Sequence, residues 1–376
     1  MATEKGKVEA YLTKKQNAAK GPLADHWKNL SDLYSRKLWH QLTVLTRSLV
    51  EKPLFVSSVD LLEFYDNFVK DWELRANPLQ LVEISILIAT HTAANNRPKA
   101  MQHLERTATV VAKDKIAMAR LHTGEIELKL ANKDKNGQII DLKGIRAQID
   151  STQQEVDSLV GVTEVHAPFY RVSSLYLREI GDFAGYYREA LRYLGVEDAK
   201  NLTQDQKQVH AVLLGFAALL GENVHNFGEL LAHPILKSLE KTRERWIVDV
   251  LHAFNAGDLP RFFSLEGDWG GWDDMKRQKD FLTAKIRLMA IMELALARPT
   301  KARSVSFKEI ATKCQIPFDE VEFLVEQVVY VSWVQPRVLD NNQIVLMANR
   351  ISEWRMDVTS MEGIVSREAR EILTQN

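Results

Sequence analysis

The side chains best suited to act as nucleophile, general base or metal ligand are one cysteine, Cys314, and ten histidines scattered over 376 residues. Their placement argues against each role. No histidine stands at ligand spacing from another His or Cys with a plausible third ligand. The chain has no G-x-x-x-x-G-K-[ST] loop to cradle phosphate and no H-E-x-x-H zinc helix. It likewise has no G-x-S-x-G elbow and no C-x-x-C pair. His252 falls within an amphipathic stretch and reads as a hydrogen-bonded or partly exposed helix residue. Cys314 lies on the apolar side of a short helix and reads as core. Gly267-Asp268-Trp269-Gly270-Gly271-Trp272 is glycine-rich but offers no Lys, Ser or Thr for phosphate, and reads as a loop. Asn132, Asp134, Asn136 and Gly137 occupy positions 1, 3, 5 and 6 of a calcium loop, but position 12 is Lys143, where the ion needs a bidentate carboxylate. A helix–helix turn is the better reading there. The expectation is a protein that is not an enzyme, with no catalytic residues, no cofactor and no metal.

The elements that could have positioned such groups are built for packing. In Trp246–Leu265, the residues Trp246, Ile247, Val250, Leu251 and Phe254 form one apolar helical stripe. Gly257 suits the helix C-terminus, Asp258 can cap the next helix, and Pro260 fits its first turn. Upstream, from Pro22, runs a train of amphipathic helices. Its stripes include Trp27, Leu30, Leu33 and Tyr34, then Leu38, Leu42, Leu45 and Leu49, then Leu61, Phe64, Tyr65, Phe68 and Trp72. Asn, Gly or Pro stands at most joints. So many short-linked helices cannot close round one core, so the expected fold is mostly α, an α-solenoid of stacked helical pairs. Residues 1–20, rich in Lys, read as a flexible tail, and residues 21–169 as the helical-repeat domain.

Composition excludes several classes of function. A formal net charge of −1, from 49 basic and 50 acidic residues, gives no bulk attraction to nucleic acid or an anionic membrane. No run approaches the roughly 18 apolar residues of a membrane span. One cysteine fits a reducing compartment, and with no secretory signal the expectation is cytoplasm and nucleus.

The pattern changes near residue 304. Lys276–Arg298 reads as a long helix that stops before Pro299. Ser306 and Glu309 then have capping-box spacing and open a helix with Phe307, Ile310, Ala311 and Cys314. A second helix carries Val321, Leu324, Val325 and Val328, and Val329–Val334 alternates like a strand. Helix, turn, helix and strand make a winged-helix pattern. The helix that would enter a major groove bears Asp319, Glu320, Glu322 and Glu326 without Lys or Arg, so it would repel the phosphate backbone. A protein-interaction winged helix is the consistent reading. Beyond it, Ile344, Ile351, Val358, Val365 and Ile372 recur every seven residues, with Met347, Trp354 and Met361 between them. These eight are the candidate partner-contact residues of a long C-terminal helix, on a coiled-coil or bundle seam. A helix folded back on its own domain is the alternative.

A helical-repeat array followed by FGELLAHPIL, WIVDVLHAFNAGDLPRFFSL and SFKEIATKCQIPFDEVEFLVEQ resembles the PCI-domain family. That family supplies scaffold subunits of the proteasome lid, the signalosome and a translation initiation factor. Lys37–Leu42, Asn226–Pro234 and Trp333–Leu339 look most like a non-ATPase subunit of the lid. The resemblance implies a PCI domain over residues 170–339, with its winged helix at about 304–339, and a bundle helix over 340–376. It also implies a non-catalytic scaffold for lid assembly and ubiquitin-dependent degradation. Such a subunit is hetero-oligomeric, joined to other lid subunits through the winged helix and the C-terminal bundle, with no nucleic acid or membrane partner. The alternatives are a PCI scaffold of another assembly or an RNA-handling PCI protein. In the family a longer stretch precedes the W-V-Q-P-R-V-L segment, so one strand and the wing turn are missing from this chain.

Overall fold

The computed structural model describes residues 2–19, 21–134, 137–197, 200–298 and 305–332. The regular elements among the described residues are all helices, with one isolated antiparallel bridge, Lys133 to Ile139, and no strand. They divide into two compact units, one of the described residues within 2–179 and 192–197 and the other of those within 180–191 and 200–332.

The first unit begins with α1 (Ala2–Ala18), α2 (Pro22–Ser35), α3 (Trp39–Glu51) and α4 (Pro53–Ser58). A continuous helical stretch follows, α5 (Leu61–Phe64), a π-helical turn (Tyr65–Val69) and α6 (Lys70–Trp72). Then come α7 (Pro78–Ala93), α8 (Arg97–Val111), α9 (Lys115–Leu130), α10 (Leu142–Asp157) and α11 (His166–Ile180). Successive helices pack on one another, α7 against α8 and α9, and α9 against α10, as stacked pairs require. The joints are capped as their residue types predict. Asn77 accepts from Gln80 N, Asn96 from Lys99 N and Asp114 from Ala117 N, while Pro78 and Pro98 sit in first turns where no donor is lost. The calcium-like joint is a turn: the Asp134 carboxylate accepts from Gln138 N at 2.8 Å.

The N-terminal residues depart from the expected tail. They form α1, whose Val8 and Leu12 are buried, and Tyr11 meets Trp27 edge-on at 6.1 Å. A Lys-rich helix reads as a solvated tail because its apolar stripe is only two or three residues wide. Those few residues suffice here because Trp27 offers a large face to cover.

α12 spans Phe183–Val196. In the second unit follow α13 (Gln204–Leu220), α14 (Gly228–Ala232), a 3-10 turn at Pro234–Leu239, α15 (Trp246–Asn255), α16 (Leu259–Ser264) and α17 (Glu266–Trp269). The last elements are α18 (Asp273–Arg277), α19 (Lys279–Leu296), α20 (Phe307–Cys314), a 3-10 turn at Phe318–Glu320, and α21 (Val321–Ser332). The expected long helix from Lys276 is therefore interrupted at Gln278. The glycine-rich stretch is partly helical, and its Trp269 is buried, stacked on Phe262 with centroids 4.9 Å apart.

The expected strand at Val329–Val334 is also corrected. Helix α21 continues through Ser332, while Trp333 and Val334 lie outside the described residues. A β-branched run favours a strand only if a partner strand accepts its hydrogen bonds. Among the described residues there is none, and the helix satisfies the same backbone groups internally.

Candidate interaction surface

Helix α19 is the spine of the second unit, packing against α15, α16, α20 and α21. Two contacts fix it. The first is the turn between α15 and α16, where Asp258 N donates to Ala253 O at 2.8 Å and Gly257 N to Phe254 O at 3.1 Å. This is the glycine-terminated C-cap that the sequence predicted, with Gly257 at φ +56°. Asp258 then caps α16 by accepting from Arg261 N at 3.1 Å. A Cβ on Gly257 would come within 2.3 Å of Ala290 Cα on α19, so the residue is needed for close approach as well as for its backbone angle.

The second contact is Lys285, whose side chain is buried in α19. Its Nζ donates to Ala218 O at 2.7 Å, Leu219 O at 3.0 Å and Gly221 O at 2.6 Å. The first two carbonyls lie in the last turn of α13 and have no partner further along the helix, and Gly221 follows it, its carbonyl also accepting from Val224 N at 3.4 Å, so an ammonium satisfies the helix end and meets the negative end of its dipole. Phe227 and Phe281 lie 5.5 and 5.8 Å from the charge. Burial pushes the Lys285 pKa down to about 7. The three carbonyls pull the other way, because they hydrogen-bond best to the charged form.

The helix pair at the end of the described chain is built on this spine. Ser306 and Glu309 form the reciprocal capping box that the sequence predicted. Gln315 closes α20 in the left-handed region, φ +53°, and Arg287 of α19 donates through Nε to Cys314 O at 3.2 Å. Cys314 is fully buried and its thiol is pushed up to about 11 by desolvation, which removes the thiolate at neutral pH. On α21, Val321, Leu324 and Val325 face the core. The opposite face carries Glu322, Phe323 and Glu326, all exposed, with Phe323 70% open, and the preceding 3-10 turn adds exposed Asp319. Phe318 is 55% exposed and packs its ring on Phe307 at 6.0 Å.

The eight seam residues, Ile344, Met347, Ile351, Trp354, Val358, Met361, Val365 and Ile372, lie outside the described residues, as do the W-V-Q-P-R-V-L segment and the place where the wing was expected to be missing. Among the described residues no three His, Cys, Asp or Glu side chains converge as a metal site, and no helix is long and apolar enough to cross a membrane. Sequence reasoning passed over Lys285 and Phe323. Lys285 had a signal: it stands four residues from both Phe281 and Met289, a charge inside an apolar stripe. Phe323 is an apolar residue inside an acidic stripe, the reverse anomaly.

Comparison with known proteins extends over nearly the whole chain. Residues 26–251 match the family described as PSD13 N-terminal repeats, and residues 262–349 match the PCI domain. The 26S proteasome non-ATPase regulatory subunit 13 of Dictyostelium discoideum is 32% identical, covering 88% of this chain and 90% of that protein. Homolog B of the same subunit in Arabidopsis thaliana is 32% identical over 92% of this chain and 93% of its own length. The probable 26S proteasome regulatory subunit rpn9 of Schizosaccharomyces pombe is 31% identical, covering 89% and 90%. An all-helical repeat unit, a capped helix pair on a central spine, and likeness over nine-tenths of these relatives agree: the chain belongs to the family of 26S proteasome non-ATPase regulatory subunit 13.

Proposed function

We propose that this chain is a non-catalytic scaffold subunit of the lid of the 26S proteasome regulatory particle, acting in lid assembly and in ubiquitin-dependent protein degradation. The observation that carries the reading is its end-to-end likeness to regulatory subunit 13, through both the repeats and the PCI domain. The absence of catalysis is supported by what the reactive groups do. The one thiol is buried and held protonated, and the most perturbed amine, Lys285, spends its donors on three carbonyls. The working compartments of such a subunit are cytoplasm and nucleus. Its partners are other lid subunits, met through the winged-helix region and the C-terminal helix.

Affinity purification of the tagged full-length chain from cells, followed by native mass measurement, tests this. Recovery with proteasome regulatory subunits is expected. Recovery as a monomer, or with initiation-factor subunits instead, overturns it. The C-terminal seam has its own test. Removing residues 340–376 should leave the melting temperature of the chain unchanged and abolish co-purification. Trp354→Ala should weaken assembly by about 2 kcal/mol, more than Glu353→Ala, because a buried aromatic anchor outweighs a rim charge. A truncated chain that melts lower yet still assembles defeats the partner-helix reading.

A further inference from the structure

Helix α1 lies on α2, the π-helical turn and α6, and covers more than it is held by. Its apolar stripe is Val8, Tyr11 and Leu12, with Lys15 a turn further on. Among its described side chains only Val8 and Leu12 are buried, whereas α7, of nearly equal length, buries seven residues. The Tyr11 hydroxyl is buried with no hydrogen-bond partner among the described residues, which opposes closure. Gly6 weakens the helix from within, and no close approach requires it, since nothing lies within 4 Å of an added Cβ. Lys15 pairs with Glu63 at 3.1 Å, but both side chains are partly exposed. The rest of the unit begins without α1: α2 starts afresh at Gly21 and Pro22 with no side-chain cap, and the matched repeats start at residue 26. Beneath α1 stands Trp27, 1% exposed, at the edge of a row of rings with Phe55 and Phe64. Glu63 and Asp60 flank that edge, close enough for their charges to act on Tyr11.

We propose that α1 is a strap that opens as a unit while the rest of the first unit stays folded, and that the Trp27 face beneath it receives an amphipathic helix of the same pattern from another protein. Elements with few buried apolar contacts open at a fraction of the global unfolding free energy, and α1 is such an element. The helix seated on the face shows what the face takes: apolar residues at i, i+3 and i+4, and a basic residue at i+7 to meet Glu63. Tethered next to its own site, α1 keeps the rings dry at high effective concentration until a competing helix replaces it. The outer side of α1 carries Lys7, Glu9, Thr13 and Lys14, all exposed, so nothing apolar is uncovered on that side when it leaves. The inference does not depend on which assembly the chain joins.

The test uses the full-length chain, peptide-resolved hydrogen exchange, and a fluorescently labelled peptide of residues 2–19 as the competing helix. Amides of α1 should exchange roughly tenfold or more faster than those of α2 and α7. Leu12→Asp puts a charge on the apolar stripe, so α1 should lose its protection while α2 and α7 keep theirs. The labelled peptide should bind that opened chain roughly tenfold or more tighter than the unaltered one, because apparent affinity scales with the open fraction. Glu63→Lys in the opened chain should weaken the peptide again. Gly6→Ala strengthens the strap without a clash, so it should slow α1 exchange and weaken peptide binding in the same proportion. Exchange of α1 no faster than α2, loss of protection in α2 and α7 with Leu12→Asp, or no binding of the peptide to the opened chain overturns the strap. So does a Gly6→Ala variant in which exchange and binding do not move together.

Discussion

The two units are both helical, yet different contacts hold them. The first is centred on a continuous row of rings, in which Trp27 meets Phe55 at 5.5 Å and Phe64 at 5.7 Å, Phe64 meets Phe68 at 5.4 Å, and Phe68 meets Trp72 at 6.1 Å. Charged pairs then tie one helix to another, Arg120 to Glu83 at 2.7 Å and Arg171 to Glu127 at 2.6 Å, and Lys133 of the turn after α9 pairs with Glu179 at 2.9 Å. The second unit has rings too, Phe227, Phe254, Phe262 and Trp269, but its spine is fixed where side chain meets backbone, at Lys285, and where backbone meets backbone, at Gly257. A cluster of rings can redistribute a loss among its members. A backbone approach cannot, because main-chain atoms move only with their helix. Repeats that stack by side chains can absorb a ring-for-ring exchange but not the loss of a whole ring, whereas a helix pair held on a spine depends on a few points where even one added carbon matters.

The largest effect expected is in the ring cluster. Trp27→Ala should cost about 4 kcal/mol, and Trp27→Phe less than about 2 kcal/mol because the neighbouring rings can close on the smaller gap. Peptide-resolved hydrogen exchange, which reports the stability of each unit separately, is the measurement. Equal losses for the two variants would show that the cluster does not relax.

Adding a single carbon in the second unit should weigh nearly as much. Gly257→Ala combines a left-handed backbone with a clash against Ala290, for about 3 kcal/mol. Gly161→Ala in the first unit is the control. It also has positive φ, +73°, but nothing lies within 4 Å of the added carbon, so about 1 kcal/mol is expected. Similar losses at the two sites would remove the distinction between the units.

Lys285→Met keeps the volume but strands the Ala218 and Leu219 carbonyls and leaves Gly221 O with only the bond from Val224 N, which should cost about 2 kcal/mol. The loss should localise to exchange at residues 215–221. Unchanged protection there would mean that the helix end does not need its cation.

The smallest expected effect is pH dependence of the first unit. His103 is buried with its ring against Tyr65 at 4.5 Å, and desolvation, with the Arg106 charge beside it, pushes its pKa from 6.5 down to about 4. Above pH 6.5 the ring is neutral in both folded and unfolded chains, so there is no penalty. As pH falls from 6.5 to 4 the unfolded chain takes up a proton that the folded chain refuses, and stability drops by on the order of 1–2 kcal/mol. A His103→Gln variant should lose that part of the acid limb. An unaltered acid limb would assign it to other groups, with His225 of the second unit, also held near 4 by burial and by Lys285, the next to test.

Much of this was legible in the residues themselves. Asn77, Asn96, Asp114, Asp258 and Ser306 mark helix starts because their side chains bond backbone donors two or three residues away, and Gly257 marks an end because it lacks a Cβ. Those effects are local, so sequence determines them. The acidic character of the α21 face was likewise plain in its residues.

Tertiary structure decided the matters in which a residue's neighbours come from far along the chain. Val8 and Leu12 turn a Lys-rich stretch into a packed helix only because Trp27 is there to cover. Lys285 is buried because a helix ends 64 residues earlier, at Gly221, with carbonyls to satisfy. The β-branched run after Val328 continues as helix because no described strand stands ready to pair with it. Caps, turns and stripes draw their energy from adjacent residues, whereas burial and strand pairing draw theirs from partners that only the folded chain brings near.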